Sequence, residues 1–186
     1  MKRAQYCGAR LQPAGGLLGR LLVCIALAST ATVTLASDQQ IDRESLRALY
    51  GVRVVVEDLP ANAPVELTKQ LGNAEALRKS IEAKLETAHI PTLNQGEFPV
   101  GDPFLRVSIK TTPETNGLVA YRVAVDFVQI VFVRRNPQLT FNRAQTWAAE
   151  SQMGIAPKKQ LADRVKNDLD AQLDQFIAAY LSVNQK

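Results

Sequence analysis

Apolar and polar positions alternate along the chain with a period that changes several times, and each change marks an element. Residues 105–110 alternate strictly, with Leu105, Val107 and Ile109 against Arg106, Ser108 and Lys110. That period of two predicts a half-buried strand over 104–110. Residues 52–59 are rich in β-branched side chains, with Val52, Val54 and Val56 on one face, and predict an earlier strand. Residues 118–133 form a third and longer strand signal. Asn116-Gly117 before it and Asn136-Pro137 after it favour turns, at 111–117 and 134–138. Residues 139–151, which include Trp147, read as a fourth strand with a mixed pattern, and 153–157 as a loop.

Elsewhere the period is helical. Leu67, Leu71, Ala74, Leu77, Ile81, Leu85 and Ala88 recur at three- and four-residue steps, which predicts a helix over 66–88. Gly72 would kink it or delay its start, and Pro91 prevents its continuation. A second helix is predicted over 158–183, with Leu161, Val165, Leu169, Leu173, Phe176, Ile177, Tyr180 and Leu181 on one stripe. Pro157 suits its first turn. Residues 42–50 read as a brief helix with Leu46, Leu49 and Tyr50 on one side. Short connections between the last three strands argue for an antiparallel meander. Two helices with one apolar stripe each can cover one face of it. The expected architecture is an α+β two-layer sandwich, a mainly antiparallel sheet of about four strands with two long helices on one face. The first strand, followed by a crossover helix, would lie at an edge or between the others.

One strand does not fit that scheme. Tyr121, Val123, Val125 and Phe127 alternate with Arg122, Ala124 and Asp126. From Val128 on, Val128, Ile130 and Phe132 place apolar side chains on the formerly polar face, while Val131 and Val133 keep the other face apolar. Three arrangements would satisfy such an end. A β-bulge could shift the register. The segment from Leu46 to Tyr50, or Trp147, could cover the strip. Or the strip could be a partner surface made of Val128, Ile130 and Phe132, rimmed by Arg134 and Arg135.

Charge and cysteine change the picture mainly at the N-terminus. Residues 1–36 hold Lys2, Arg3, Arg10 and Arg20 and no acidic residue. Of the 22 basic residues, 18 therefore lie in 37–186, where they balance the 18 acidic ones. A basic start, an apolar run over 21–35 and Thr34-Leu35-Ala36 before Ser37 form the pattern of a secretory signal peptide over 1–36. The run is shorter than the roughly 20 apolar residues of a spanning helix. An uncleaved inner-membrane anchor over 21–36 is the alternative. Leu21-Leu22-Val23-Cys24 has the outline of a lipoprotein signal, but Val23 is bulky where a small residue is wanted. The domains expected are the leader, a linker and short helix over 37–50, and one α+β domain over 51–186. Balanced charge after the leader argues against nucleic acid as a partner and leaves an envelope protein or a second copy. A periplasmic location follows from the leader.

Candidate chemistry in the mature part is sparse. Both cysteines, Cys7 and Cys24, lie in the leader, so neither a thiolate nucleophile nor a thiolate metal site is available after it. His89 is the single histidine. It could act as a base or a pH sensor, but its place reads as the end of a helix. G-x-S-x-G, S-x-x-K, Walker and G-x-G-x-x-G motifs are missing. No catalytic, cofactor-binding or metal-binding residue is assigned, and no cofactor is implied. Glu57, Asp58, Glu97, Asp102 and Asp126 lie near predicted strand ends or loops and are the candidates for a carboxylate pair.

Four stretches carry a resemblance of layout: GVRVVVEDL (51–59), ETAHIPTL (86–93), the pair LRVSIK and YRVAVDFVQIVFV (105–110 and 121–133), and DQFIAAYLSVN (174–184). Together they resemble small exported α/β modules of Gram-negative envelope proteins. Among these are the N-terminal domain of the Tol translocation protein TolB, the curli secretion lipoprotein and the lipoprotein activators of penicillin-binding proteins. The resemblance implies a protein-binding or scaffolding module and carries no catalytic residue across. The expected function is a non-enzymatic envelope domain that binds another protein. Its alternatives are a carrier of a small apolar ligand, which needs a closed cavity lined by Val, Leu and Phe, and a carboxylate-based hydrolase.

Overall fold

The computed structural model describes residues 38–97 and 100–184. The signal peptide expected over 1–36, its cut before Ser37, Cys24 and the anchor alternative fall outside the described residues. No helix of the described residues is long and apolar enough to cross a membrane.

The chain folds as an α+β sandwich. A short helix α1 (Gln40–Arg43) runs into a 3-10 turn at Glu44–Leu46. Strand β1 (Arg53–Val56) follows, then helices α2 (Val65–Leu71) and α3 (Ala74–Thr87). Strands β2 (Phe104–Thr111), β3 (Leu118–Val133), β4 (Asn136–Ala148) and β5 (Gln152–Pro157) come next, and α4 (Leu161–Asn184) ends the fold.

β1 lies at an edge and pairs parallel with β2, as a strand–helix–strand crossover requires. β2 pairs antiparallel with β3 over the whole of its length. The other side of β3 is shared. Its first part, Leu118 to Val123, pairs with β5, and its second part, Asp126 to Val133, pairs with β4.

The loop expected at 153–157 is thus a fifth strand. Gly154 explains both the strand and its concealment. It stands opposite Tyr121 in the register, and a Cβ there would come within 2.8 Å of the tyrosine hydroxyl. The ring lies over the bare backbone, and its hydroxyl donates to Asp168 of α4 at 2.8 Å. Burial, together with that carboxylate, pushes the Tyr121 phenol up to about 12. On the other side of β5, Met153 and Ile155 are exposed. Its inward face carries only Gln152, Gly154 and the buried Ala156, so the strand lacks the large apolar side chains by which strands are recognised.

The helix expected over 66–88 is two helices. Gly72 adopts φ 76°, in the left-handed region where L side chains are strained. Asn73 then opens α3, its side chain accepting from the Ala76 amide at 2.8 Å. The glycine and the cap together outweigh the continuous apolar stripe. At the other end His89 takes φ 59°. Its amide donates to the Glu86 carbonyl and the Ile90 amide to the Leu85 carbonyl, both at 2.9 Å. These are the two bonds of a Schellman terminus with histidine in the position glycine usually fills. Burial of Ile90 anchors the exit.

The core lies between the sheet and its helices. Leu105, Val107 and Ile109 of β2 and Val123, Val125 and Phe127 of β3 are buried against α3 and α4. α4 contributes Leu161, Val165, Leu169, Leu173, Phe176 and Tyr180, the stripe expected from its spacing. Ile177 and Leu181 lie at its margin. Phe176 stacks on Phe127 with ring centroids 6.0 Å apart and meets Trp147 edge-on at 5.3 Å. Trp147 is fully buried, and its indole N–H donates to Asp38 at 2.8 Å. Asp38 also pairs with Arg43 at 2.7 Å. That knot, with buried Leu46, holds the N-terminal turn over the end of the sheet.

Gln172 of α4 is the other buried polar link. Its side-chain amide donates to the Val123 carbonyl at 3.0 Å, where the edge passes from β4 to β5. The amide nitrogen satisfies a backbone carbonyl, whereas the Gln172 side-chain oxygen is buried without a hydrogen-bond partner among the described residues.

Candidate functional site

The polar face of the sheet carries charges that neutralise one another. Arg106 and Asp126 are direct cross-strand neighbours and pair at 2.7 Å. Lys110 reaches Glu57 at 2.6 Å, and its ammonium holds the Glu57 carboxyl below its ordinary range. Asp102 pairs with Arg53, whose guanidinium lies over the Phe104 ring at 5.6 Å. Glu97 accepts from the Asn94 amide at 3.0 Å and closes a turn. Four of the five candidate carboxylates therefore have local structural partners, and Asp58 lies in the loop after β1. Glu57 and Asp126 line one open cleft on this face, together with Arg106, Lys110 and Gln145, and each is held there by its own cation, Lys110 and Arg106 respectively. His89 is a helix terminus rather than a member of a polar cluster. Among the described residues no group of His, Cys, Asp and Glu could hold a metal ion.

An apolar-ligand carrier needs an enclosed space. Between α2, α3 and α4 there is a cleft of about 180 Å³, lined by Leu71, Leu77, Ile81, Leu169 and Leu173. It is a surface cleft and smaller than the roughly 300 Å³ at which ligand pockets begin. Lys84 at its rim is already paired with Asp170 at 3.2 Å and Asp174 at 2.9 Å. Burial pushes that ammonium down, but the two carboxylates outweigh it and hold it above its ordinary value.

The region where unsatisfied surface gathers is the hairpin of β3 and β4. Pairing with β2 ends where Phe104 meets Val128. Beyond that level β3 and β4 continue as a two-stranded arm, with Val131 opposite Phe141 and Phe132 opposite Thr140. The turn at its tip is two residues, Arg134 and Arg135, and not the longer 134–138 expected, because β4 already begins at Asn136. Pro137 is accommodated because β4 is an edge strand.

The doubly apolar end of β3 is resolved in stages along this arm. Val128 is 1% exposed and belongs to the packed part. The side-chain amide of Gln129 donates to Thr146 on the neighbouring strand at 2.9 Å. Ile130 is half-buried, and its amide donates to the Gly101 carbonyl at 2.7 Å. Phe132 is 67% exposed, with Leu139 at 44% and Phe141 at 52% on the partner strand. Arg134, Arg135 and Arg143 are exposed around them.

Two of the three expected arrangements therefore coexist. The register shifts at three points between β3 and β4, and the N-terminal turn with Trp147 closes the base. The last shift lies at the tip, between Phe132 and Val133, yet it leaves Phe132 exposed, and the N-terminal cover stops at the base. The sequence reading missed Leu139, Phe141 and Arg143. The signal for them was a stretch from 127 to 149 without one acidic residue. A second, smaller apolar strip lies at the far end of the sheet, where Leu118, Met153 and Ile155 are exposed.

Comparison with known proteins adds little to this geometry. No protein-family model matches the chain, and no curated protein matches it. Among solved structures the chain is similar to a minor lipoprotein from Acinetobacter baumannii, with 16% sequence identity, covering 70% of this chain and 92% of that one at a TM-score of 0.30. Such a score marks loose agreement of layout.

Proposed function

We propose that this is a non-catalytic domain of the bacterial cell envelope that binds another protein, and that the β3–β4 arm is its contact element. The carrying observation is the exposure of Phe132, Leu139 and Phe141 on one overhanging hairpin of a chain whose core is otherwise closed. Exposed large apolar side chains gathered on both faces of one hairpin mark an interface. Placement in the envelope is supported by the signal-like pattern over residues 1–36. The non-catalytic reading is supported by the pairing of the candidate carboxylates with nearby structural groups.

A photoreactive phenylalanine analogue at position 132, in cells that export the protein, tests the reading. The expected result is a discrete adduct with one other envelope protein. The same probe at Lys79, an exposed position on α3, should give none. Equal labelling from both positions, or none from 132, would contradict it.

A further inference from the structure

We infer that the arm receives an extended, acidic segment of its partner, which adds as a strand to the outer edge of β4. The inference rests on the binding function proposed above and specifies its chemistry. β4 is the last strand on its side of the sheet, and no described strand pairs with its outer edge. Residues 136–143 are all exposed. Pro137 carries no N–H, so the usable edge begins at Gln138 and runs to Ala144. An edge of that length is a ready template for another strand. Side chains beside it supply apolar contacts: adjacent residues of a strand face opposite ways, which puts Leu139 and Phe141 on one face, opposite the face of Phe132 and its neighbour Thr140.

Charge selects the occupant. Arg134, Arg135 and Arg143 are exposed on the arm, and the nearest acidic residues in sequence are Asp126 and Glu150. A second copy pairing edge to edge would bring two such arginine sets together without a counter-charge. Cations on an edge strand discourage self-pairing, and the same cations favour an acidic strand. A lipid surface fits less well. A hairpin that inserts into a bilayer needs apolar residues foremost, whereas here the tip is Arg134-Arg135 and the aromatics lie behind it.

The test uses the full chain and a labelled ten-residue peptide of alternating glutamate and valine, with a lysine-for-glutamate counterpart as control. Fluorescence anisotropy reads affinity, and amide hydrogen exchange reads which backbone groups are covered. The acidic peptide should bind at least about tenfold more tightly than its counterpart. It should slow exchange at residues 138–144. Raising salt from about 0.1 to about 1 M, which shortens the screening length from about 10 to about 3 Å, should weaken it. The triple variant Arg134→Gln/Arg135→Gln/Arg143→Gln, checked by circular dichroism to be folded, should bind both peptides alike.

Several results would overturn the inference. One is peptide binding without slowed exchange in β4. Another is an arm-dependent dimer in light scattering, which would make a second copy the occupant. A third is protection of the arm by phosphatidylglycerol vesicles with no preference between peptides. Failure of both peptides would also overturn it. In each case, a surviving adduct from position 132 would leave the binding function standing, and its loss would remove both.

Discussion

β3 is one continuous strand with two environments. From Val119 to Val128 most of its side chains are buried against α4, β2 and the N-terminal turn. From Gln129 to Val133 none is fully buried, although the residues are no less apolar. Composition does not separate the halves. What separates them is cover: β2 stops at Phe104, and Leu46 with Trp147 caps only the base of the arm. Apolar character shows that a surface wants to be dry, and the neighbouring elements decide whether the chain itself makes it so.

Substitutions at matching depth along the hairpin would break this contrast most sharply. Trp147→Ala removes the largest buried side chain at the base and should cost about 3–5 kcal/mol in denaturant unfolding. It also leaves Asp38 without its indole donor. If the loss were under about 1 kcal/mol, the base would be as loosely packed as the tip.

Next in size is Gly154→Ala. The added methyl meets the Tyr121 ring at 2.8–2.9 Å, and overpacking of this kind costs about 1–3 kcal/mol. The clash should be relieved in the double variant with Tyr121→Ala, so that the two losses are not additive. Full additivity in a thermal or denaturant series would show that the ring does not rest on the glycine.

A pH titration sharpens the comparison at the N-terminal turn. Burial pushes the Asp38 carboxyl up, but hydrogen bonds from Arg43 and Trp147 outweigh it and hold it below its ordinary value. A depressed carboxyl stabilises the fold above its unfolded pKa of about 3.9, and that contribution is lost as pH falls through the folded value. Tryptophan fluorescence should therefore shift under acid, below about pH 4, and Asp38→Asn should flatten that shift. An unchanged acid response in Asp38→Asn would disconnect the turn from Trp147.

His89→Gly is the smallest effect and should be a gain of about 0.5–1 kcal/mol, because glycine takes the left-handed position without strain. A loss would mean that the imidazole makes a contact worth more than the backbone strain.

Much of the packed half was legible in the sequence. Strict alternation at Leu105, Val107 and Ile109 and the stripe from Leu161 to Tyr180 are signals of burial, and both are buried. The limits of β3 also matched. Elements that lack such a signal were lost. β5 went unread because Met153 and Ile155 face solvent and Gly154 faces a ring. The division of α2 from α3 depended on one backbone angle at Gly72 rather than on periodicity. At the candidate site the sequence picked out Phe132, Arg134 and Arg135. It grouped them with Val128, which is buried, since cover by distant elements has no local signature. Leu139, Phe141 and Arg143 needed the pairing register to be recognised as their neighbours.

The central claim is that the end of this hairpin contributes no packing to its own fold. The unfolding free energy of Phe132→Ser/Phe141→Ser, measured against the unaltered chain, tests it directly. Two surface positions should change stability by no more than about 1 kcal/mol together. A loss above about 2 kcal/mol, the size expected for side chains removed from a core, would mean that the chain already covers them and that the arm is not held open for a partner.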